Sequence, residues 1–134
     1  MVVQLSSIIE SCSKYEKMCC NDTFTAAVRG HLNCLSTLHM SGIPWDLETC
    51  VVAALFGNID CLRYAHEGNG DEDFVPCPWN NRTCIAAAQE GELECLQYAH
   101  EHGCPWDEIT CAAAIFNGHL DCLRYAHLCG LVEY

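Results

Sequence analysis

The chain has few basic residues: Lys and Arg together number 6, whereas Asp and Glu number 18, and the formal net charge is -12. Proteins that bind nucleic acid gather Lys and Arg on one face to neutralise phosphates. So few cations argue against nucleic acid as a partner, and the same reasoning disfavours an anionic membrane surface. The charge suits a basic protein partner, or simple solubility.

The sequence also lacks a run of about 18 apolar residues, the length that a membrane-spanning helix needs. Residues 1–17 have no basic start and no small-residue cleavage site, so a secretory signal is not expected. A transit peptide removed earlier would leave no trace. No stretch shows the apolar–polar alternation of a strand. Because 51% of the residues are nevertheless apolar, we expect a folded domain rather than disorder.

Cysteine is abundant, although no two cysteines are spaced as Cys-X-X-Cys. The 13 cysteines are an odd number and cannot all pair in disulfides. Most of them recur at the same point of a repeated unit, within predicted helices, so we expect reduced, buried thiols that act as small apolar side chains. Reduced thiols indicate a reducing compartment, the cytoplasm, with an organelle stroma or matrix as the alternative.

A repeated unit organises the chain from about residue 22 onward. Its last copy, residues 110–130, reads TCAAAIFNGHLDCLRYAHLCG, and the earlier copies begin at Asp22, Thr49 and Thr83. The glycines at the centre of the copies, Gly30, Gly57, Gly91 and Gly118, are separated by 27, 34 and 27 residues. A period of this order, with one seven-residue insertion, is typical of a solenoid of helical repeats.

Each unit predicts two short helices joined by a glycine turn. Asp or Asn precedes the first helix and is expected to cap its N-terminus, and an alanine run then favours helix. The second helix carries Cys-Leu-X-Tyr-Ala-His and ends at a glycine suited to the left-handed conformation. The expected caps are Asp46, Asn80 and Asp107, and the closing glycines are Gly42, Gly68, Gly103 and Gly130.

The predicted fold is therefore all-α with no sheet: a helical-repeat solenoid in one compact domain. An N-terminal capping helix is expected within residues 1–20. Four helix-turn-helix repeats follow in residues 21–134, at about 21–46, 47–79, 80–107 and 108–134. The seven extra residues between the second and third repeats are rich in Gly, Pro and acids, which predicts a surface loop.

The turn and second helix of each unit resemble the ankyrin repeat family. Residues 86–93 and 113–120 carry the resemblance, with Ala-Ala-X-X-Gly-His-Leu-Asp/Glu in slightly altered form. The unit is about six residues shorter than the usual ~33. It lacks the family's Thr-Pro-Leu-His, and the finger between repeats is reduced to Cys-Pro-Trp-Asp. This short variant is similar to cysteine-rich ankyrin proteins of giant DNA viruses and protists, which implies a non-enzymatic binding module or an accessory structural subunit of a larger assembly.

The resemblance also implies a binding surface, because in ankyrin stacks the two residues before the turn glycine project on the concave side. Several of these residues are apolar here, and exposed apolar patches tend to mark partner sites. The tail, residues 128–132, lacks the polar outer face of a capping repeat. The alternative is that the short finger changes the twist and buries the strip. The predicted partner-binding residues are Val28, Leu55, Phe56, Phe116, Leu128 and Leu131.

The cysteines and histidines raise an alternative function, a metal- or redox-responsive protein. Equivalent residues of adjacent repeats lie about 8–10 Å apart, whereas two zinc ligands lie within about 4 Å. The repeated cysteines Cys34, Cys61, Cys95 and Cys122 therefore cannot share one ion. The best zinc candidates are His100, His102 and Cys104, with Cys111 or Cys77. We nonetheless predict no metal and no cofactor, and, because acid, base and nucleophile form no unique constellation, no enzymatic activity.

Two further sets of residues recur in every unit and are predicted to be structural. The histidines His66, His100 and His127 are expected to be half-buried and to hydrogen-bond a loop carbonyl or the next repeat's capping Asp. The tryptophans Trp45, Trp79 and Trp106 precede the first helices, and we expect them to pack between neighbouring repeats.

Overall fold

A computed structural model describes residues 20–68, 70 and 72–129, and these residues form eight helices and no strand. The all-α class predicted from the sequence is confirmed. The predicted N-terminal helix lies outside the described residues, except for Cys20, which precedes the first helix. The helices, in chain order, are α1 Thr23–Arg29, α2 Leu32–Met40, α3 Leu47–Leu55, α4 Ile59–Glu67, α5 Asn81–Gln89, α6 Leu93–Glu101, α7 Glu108–Phe116 and α8 Leu120–Leu128.

The first helix of each later pair begins at the predicted side-chain cap. Oδ1 of Asp46 accepts a hydrogen bond from the Glu48 backbone N–H at 3.0 Å. Asn80 and Asp107 cap α5 and α7 in the same way. A cap of this kind typically contributes about 1 kcal/mol, because it satisfies a backbone donor that the helix leaves open.

The eight helices pack in two layers. α1, α3, α5 and α7 lie side by side in chain order in one layer, and α2, α4, α6 and α8 lie side by side in the other. Small side chains line the contacts of the first layer: Ala27, Ala54 and Ala88 are all 0% exposed. Small residues at these points let neighbouring helices approach closely, because interaxial distance depends on the side chains at the contact.

The turn between the two helices of a pair is also a contact with the next pair. Gly30 has a φ of +73°, a left-handed conformation that glycine adopts without steric cost. The side chain of Asn58, from the turn of the second pair, lies over Gly30 and donates to the backbone oxygens of Ala27 at 2.6 Å and Val28 at 3.1 Å. Glycine at this turn therefore makes room for a side chain that ties adjacent pairs together.

The cysteines that precede α5 and α7 link neighbouring pairs through their thiols. The Cys77 thiol donates to the backbone oxygen of Asp46 at 3.0 Å, and the Cys104 thiol donates to that of Asn80 at 3.2 Å. Of the eleven cysteines in the described ranges, ten are buried and Cys129 is exposed. The prediction of buried thiols is confirmed for those ten.

The insertion between the second and third pairs forms a surface loop with one anchor. Glu72, Asp73 and Val75 are exposed. Phe74 instead turns inward, with its ring centroid 5.2 Å from that of His39 and 5.6 Å from that of Trp45. Its apolar ring holds an otherwise polar loop against the core.

Candidate functional site

Histidine and tryptophan rings stack at each junction between pairs. His39 stacks on Trp45 with ring centroids 3.8 Å apart, and His66 stacks on Trp79 at 4.1 Å. His100 and Trp106 repeat the arrangement at 3.9 Å. The tryptophans are partly buried against the core, so the prediction that they pack between repeats is confirmed. Sequence reasoning missed His39, although it stands five residues after Cys34, as His66 does after Cys61.

A tyrosine from the following second helix completes each group. Nδ1 of His100 lies 3.0 Å from the hydroxyl of Tyr125, and Nδ1 of His39 lies 3.5 Å from that of Tyr64. The predicted partners of the histidines, a loop carbonyl or a capping Asp, were therefore wrong for His100. Each histidine therefore contacts two neighbours: a tryptophan indole from the segment between two pairs, and a tyrosine from the second helix of the next pair.

Burial of these rings favours their neutral forms. It lowers the pKa of His39, and it lowers the pKa of His66 together with the charge of nearby His102. Burial and the hydrogen bond to Glu67 raise the pKa of Tyr98. Neutral rings suit this stacked packing, because a charged ring in a partly buried place would lose hydration free energy.

The residues that offered the best zinc candidates in the sequence, His100, His102 and Cys104, have different partners in the structure. His100 is stacked on Trp106, whereas Nδ1 of His102 lies 2.8 Å from the backbone oxygen of Tyr98. The Cys104 thiol donates elsewhere, to Asn80. These three side chains are close in sequence but have different partners in the structure. Among the described residues, they do not form one group of metal ligands.

A different group of three potential ligands does come together, at the N-terminal end of the stack. Cys20, His31 and Cys34 each offer one ligand atom, and these atoms all lie within 4.8 Å of one another. Sequence reasoning missed the group. The signal that could have revealed it is His-X-X-Cys at the start of α2, since such spacing places both side chains at one helix terminus.

The predicted partner-binding residues occupy different environments. Val28 and Leu55 are half-buried against the core, as the alternative of a buried strip expects. Phe56 is exposed, and so are Phe116 and Leu128. The third pair places the polar Gln89 and Glu90 between Phe56 and Phe116, so these rings do not form a continuous apolar strip. Leu131 lies outside the described residues.

Five of the ten large apolar side chains that are exposed in the described part of the chain belong to the fourth pair. Phe116 is 91% exposed and Leu120 is 65% exposed. Ile115, which is 52% exposed, stands where the three preceding copies have the fully buried alanines Ala27, Ala54 and Ala88. We call Ile115, Phe116, Leu120 and Leu128 the end face.

The end face was only partly foreseen from the sequence. Phe116 and Leu128 were predicted, whereas Ile115 and Leu120 were not. The signal that could have revealed Ile115 is a large side chain at a position that is alanine in every other copy. Charges of both signs border the end face, since the exposed Asp121 directly follows Leu120 and Arg124 lines a groove with Leu120 and Leu123.

Comparison with known proteins gives no match for this chain among family models, curated proteins or solved structures. Among the helices that the structure describes, none is long and apolar enough to cross a membrane.

Proposed function

We propose that this protein is a non-enzymatic interaction module, an accessory subunit of a larger assembly, built as a short ankyrin-like solenoid. The observation that carries the proposal is the end face. In every earlier copy the equivalent alanine is fully buried, whereas Ile115 is half exposed in the last copy. Contiguous exposed apolar side chains tend to mark partner sites.

The end face is large enough to contribute useful binding free energy. Full burial of one large apolar side chain stabilises by about 1.5–3 kcal/mol. Four such side chains, each more than half exposed, would contribute on the order of 4–8 kcal/mol before the costs of association. Phe116 is the expected anchor, since aromatic residues dominate interface energetics.

The negative charge of the chain favours a partner whose binding surface is basic. The formal net charge is -12, and the exposed Asp121 directly follows Leu120. A complementary partner presents apolar side chains surrounded by Lys or Arg, because opposite potentials speed association and exclude acidic competitors. Ten buried thiols further suit a reducing compartment such as the cytoplasm, or an organelle stroma or matrix.

Quantitative affinity capture from native extract under reducing conditions tests this proposal. Phe116→Asp should remove the partner, because it places a charge at the centre of an apolar contact. The matched control is Gln89→Asp, which changes the equivalent exposed position of the third pair and should leave capture unchanged.

Phe56→Asp separates the end face from the strip suggested by the ankyrin resemblance. Loss of the partner in Phe116→Asp alone supports the end face, and loss in Phe56→Asp alone would move the site to the second pair. Capture that survives both substitutions would refute an apolar docking site at either place. Circular dichroism of each variant checks that helicity is retained.

A further inference from the structure

Two elements bring a thiol pair and an imidazole together at the N-terminal end of the stack. Cys20 precedes Asp22, the cap of α1, whereas His31 is the N-cap residue of α2 and Cys34 lies in the first turn of that helix. The Cys20 sulfur lies 3.3 Å from Nδ1 of His31. Cys20 and Cys34 are 2% and 0% exposed, whereas His31 is half-buried.

The position of His31 within its repeat distinguishes this group from the corresponding residues of the later described pairs. The equivalent residue of each later pair reaches back over the turn glycine of the pair before it. The first described pair has no preceding turn glycine among the described residues, and His31 meets Cys20 instead.

The fourth pair provides an internal comparison. It repeats the His-X-X-Cys spacing as His119 and Cys122. The His119 ring, however, lies over the preceding turn, where a Cβ added to Gly91 would come within 2.5 Å of its Nδ1. The part of the chain that the structure describes gathers no third ligand at that point. Spacing alone therefore does not create the group, and the cysteine before α1 is the distinguishing element.

We infer that Cys20, His31 and Cys34 form a binding site for a thiophilic divalent cation, with Zn²⁺ as the expected ion. Tetrahedral zinc, with Zn–S of about 2.3 Å and Zn–N of about 2.0–2.1 Å, holds its ligand atoms about 3.5–3.8 Å apart. The three atoms here already lie within 4.8 Å of one another. A set of two thiolates and one imidazole is characteristic of zinc, since soft sulfur ligands select it over Mg²⁺ or Ca²⁺.

The charge balance of the site suits its burial. On binding, both thiols release their protons to solvent, and the sulfur lone pairs form the bonds to the metal. Zn²⁺ with two thiolates and a neutral imidazole carries no net charge, so the buried site avoids the cost of an unpaired ion. The ion would tie the segment before α1 to the start of α2.

Cobalt titration of the metal-free full-length protein tests the inference. The protein is stripped with a chelator and held under a phosphine reductant without oxygen. Co²⁺ should bind with a stoichiometry of one per chain. It should give the visible d–d bands of tetrahedral thiolate coordination and a sulfur-to-cobalt charge-transfer band, and Zn²⁺ should displace it. Cys20→Ser and His31→Ala should each weaken binding at least about tenfold, the smallest effect expected for loss of a metal contact.

His119→Ala is the matched control, because it alters the same position of the fourth pair and should leave binding unchanged. Zn²⁺ should also raise the thermal midpoint of the wild type but not that of His31→Ala, since a ligand that binds the folded state stabilises it. Absence of cobalt bands in the wild type would overturn the inference. Bands of full intensity in both Cys20→Ser and His31→Ala would also overturn it. None of these outcomes depends on the end face.

Discussion

Alanine at Gly30 is expected to destabilise the protein more than alanine at Gly118, although both glycines have nearly the same backbone conformation. Their φ values are +73° and +74°, so each substitution forces alanine into the left-handed region at about 1–2 kcal/mol. A Cβ at Gly30 would also lie 2.7 Å from Oδ1 of Asn58, whereas one at Gly118 meets nothing within 4 Å.

The two substitutions should differ in how much they lower the free energy of unfolding. That difference measures how much the contact between adjacent pairs stabilises the fold. Asn58 must move to admit the Cβ at Gly30, and it then loses its hydrogen bonds to the oxygens of Ala27 and Val28. Each such bond contributes about 0.5–1.5 kcal/mol. Gly30→Ala should therefore lower the free energy of unfolding by about 1–3 kcal/mol more than Gly118→Ala does.

Urea denaturation followed by far-UV circular dichroism gives the free energies, and a double-mutant cycle isolates the contact. In an Asn58→Ala background, Gly30→Ala should cost no more than Gly118→Ala does in the wild type. Equal costs for Gly30→Ala and Gly118→Ala in the wild type would refute the reasoning. So would a coupling between Gly30 and Asn58 below about 0.5 kcal/mol, which is within ordinary additivity error.

Two further predictions concern the core. Leu96→Ala should lower the free energy of unfolding by about 2–5 kcal/mol, because Leu96 is fully buried, and the equivalent Leu123→Ala should cost clearly less, since Leu123 borders the end face. Equal losses in urea denaturation would contradict this burial pattern. Stability should also fall as the pH rises above about 8.5, the ordinary thiol pKa. Burial raises the pKa of Cys61 and Cys95 to about 12, so the unfolded chain ionises first and the stabilisation is lost as pH rises toward 12. A free energy of unfolding that is unchanged between neutral and alkaline pH would contradict that reasoning.

Repetition made the helices predictable from the sequence. Asp46, Asn80 and Asp107 recur at one point of the unit, and each caps a helix as expected. The ankyrin-like character of the stack stays a proposal, as does the function that the resemblance implies.

Contacts between repeats were harder to predict, because their partners lie about one unit apart in sequence. His100 meets the hydroxyl of Tyr125, and Asn58 meets the backbone oxygens of Ala27 and Val28. Neither contact is visible in the pattern of a single unit. The packing of Phe74 against Trp45 was not predicted, because the acidic residues around Phe74 indicated only a surface loop.

The contacts that differ most from those predicted lie in the first and last described pairs. His31 meets Cys20 because the described chain places no earlier turn beneath it. Ile115 is half exposed, although the equivalent alanines of the three earlier pairs are fully buried. A repeat pattern predicts what the units share. The contacts of His31 and the exposure of Ile115, in contrast, differ from those of the equivalent residues in other units. Function is therefore proposed at the two ends, where the repeats differ.

Site-specific photo-crosslinking tests the central claim most directly. A photoreactive phenylalanine analogue is introduced at Phe116 in one sample and at the equivalent Gln89 in another, and each protein is irradiated in native extract under reducing conditions. The account predicts a discrete cross-linked partner from position 116 and none from position 89, because Phe116 belongs to the end face, whereas Gln89 is an exposed polar residue of the third pair. Equal cross-linking from both positions, or none from position 116, would contradict it.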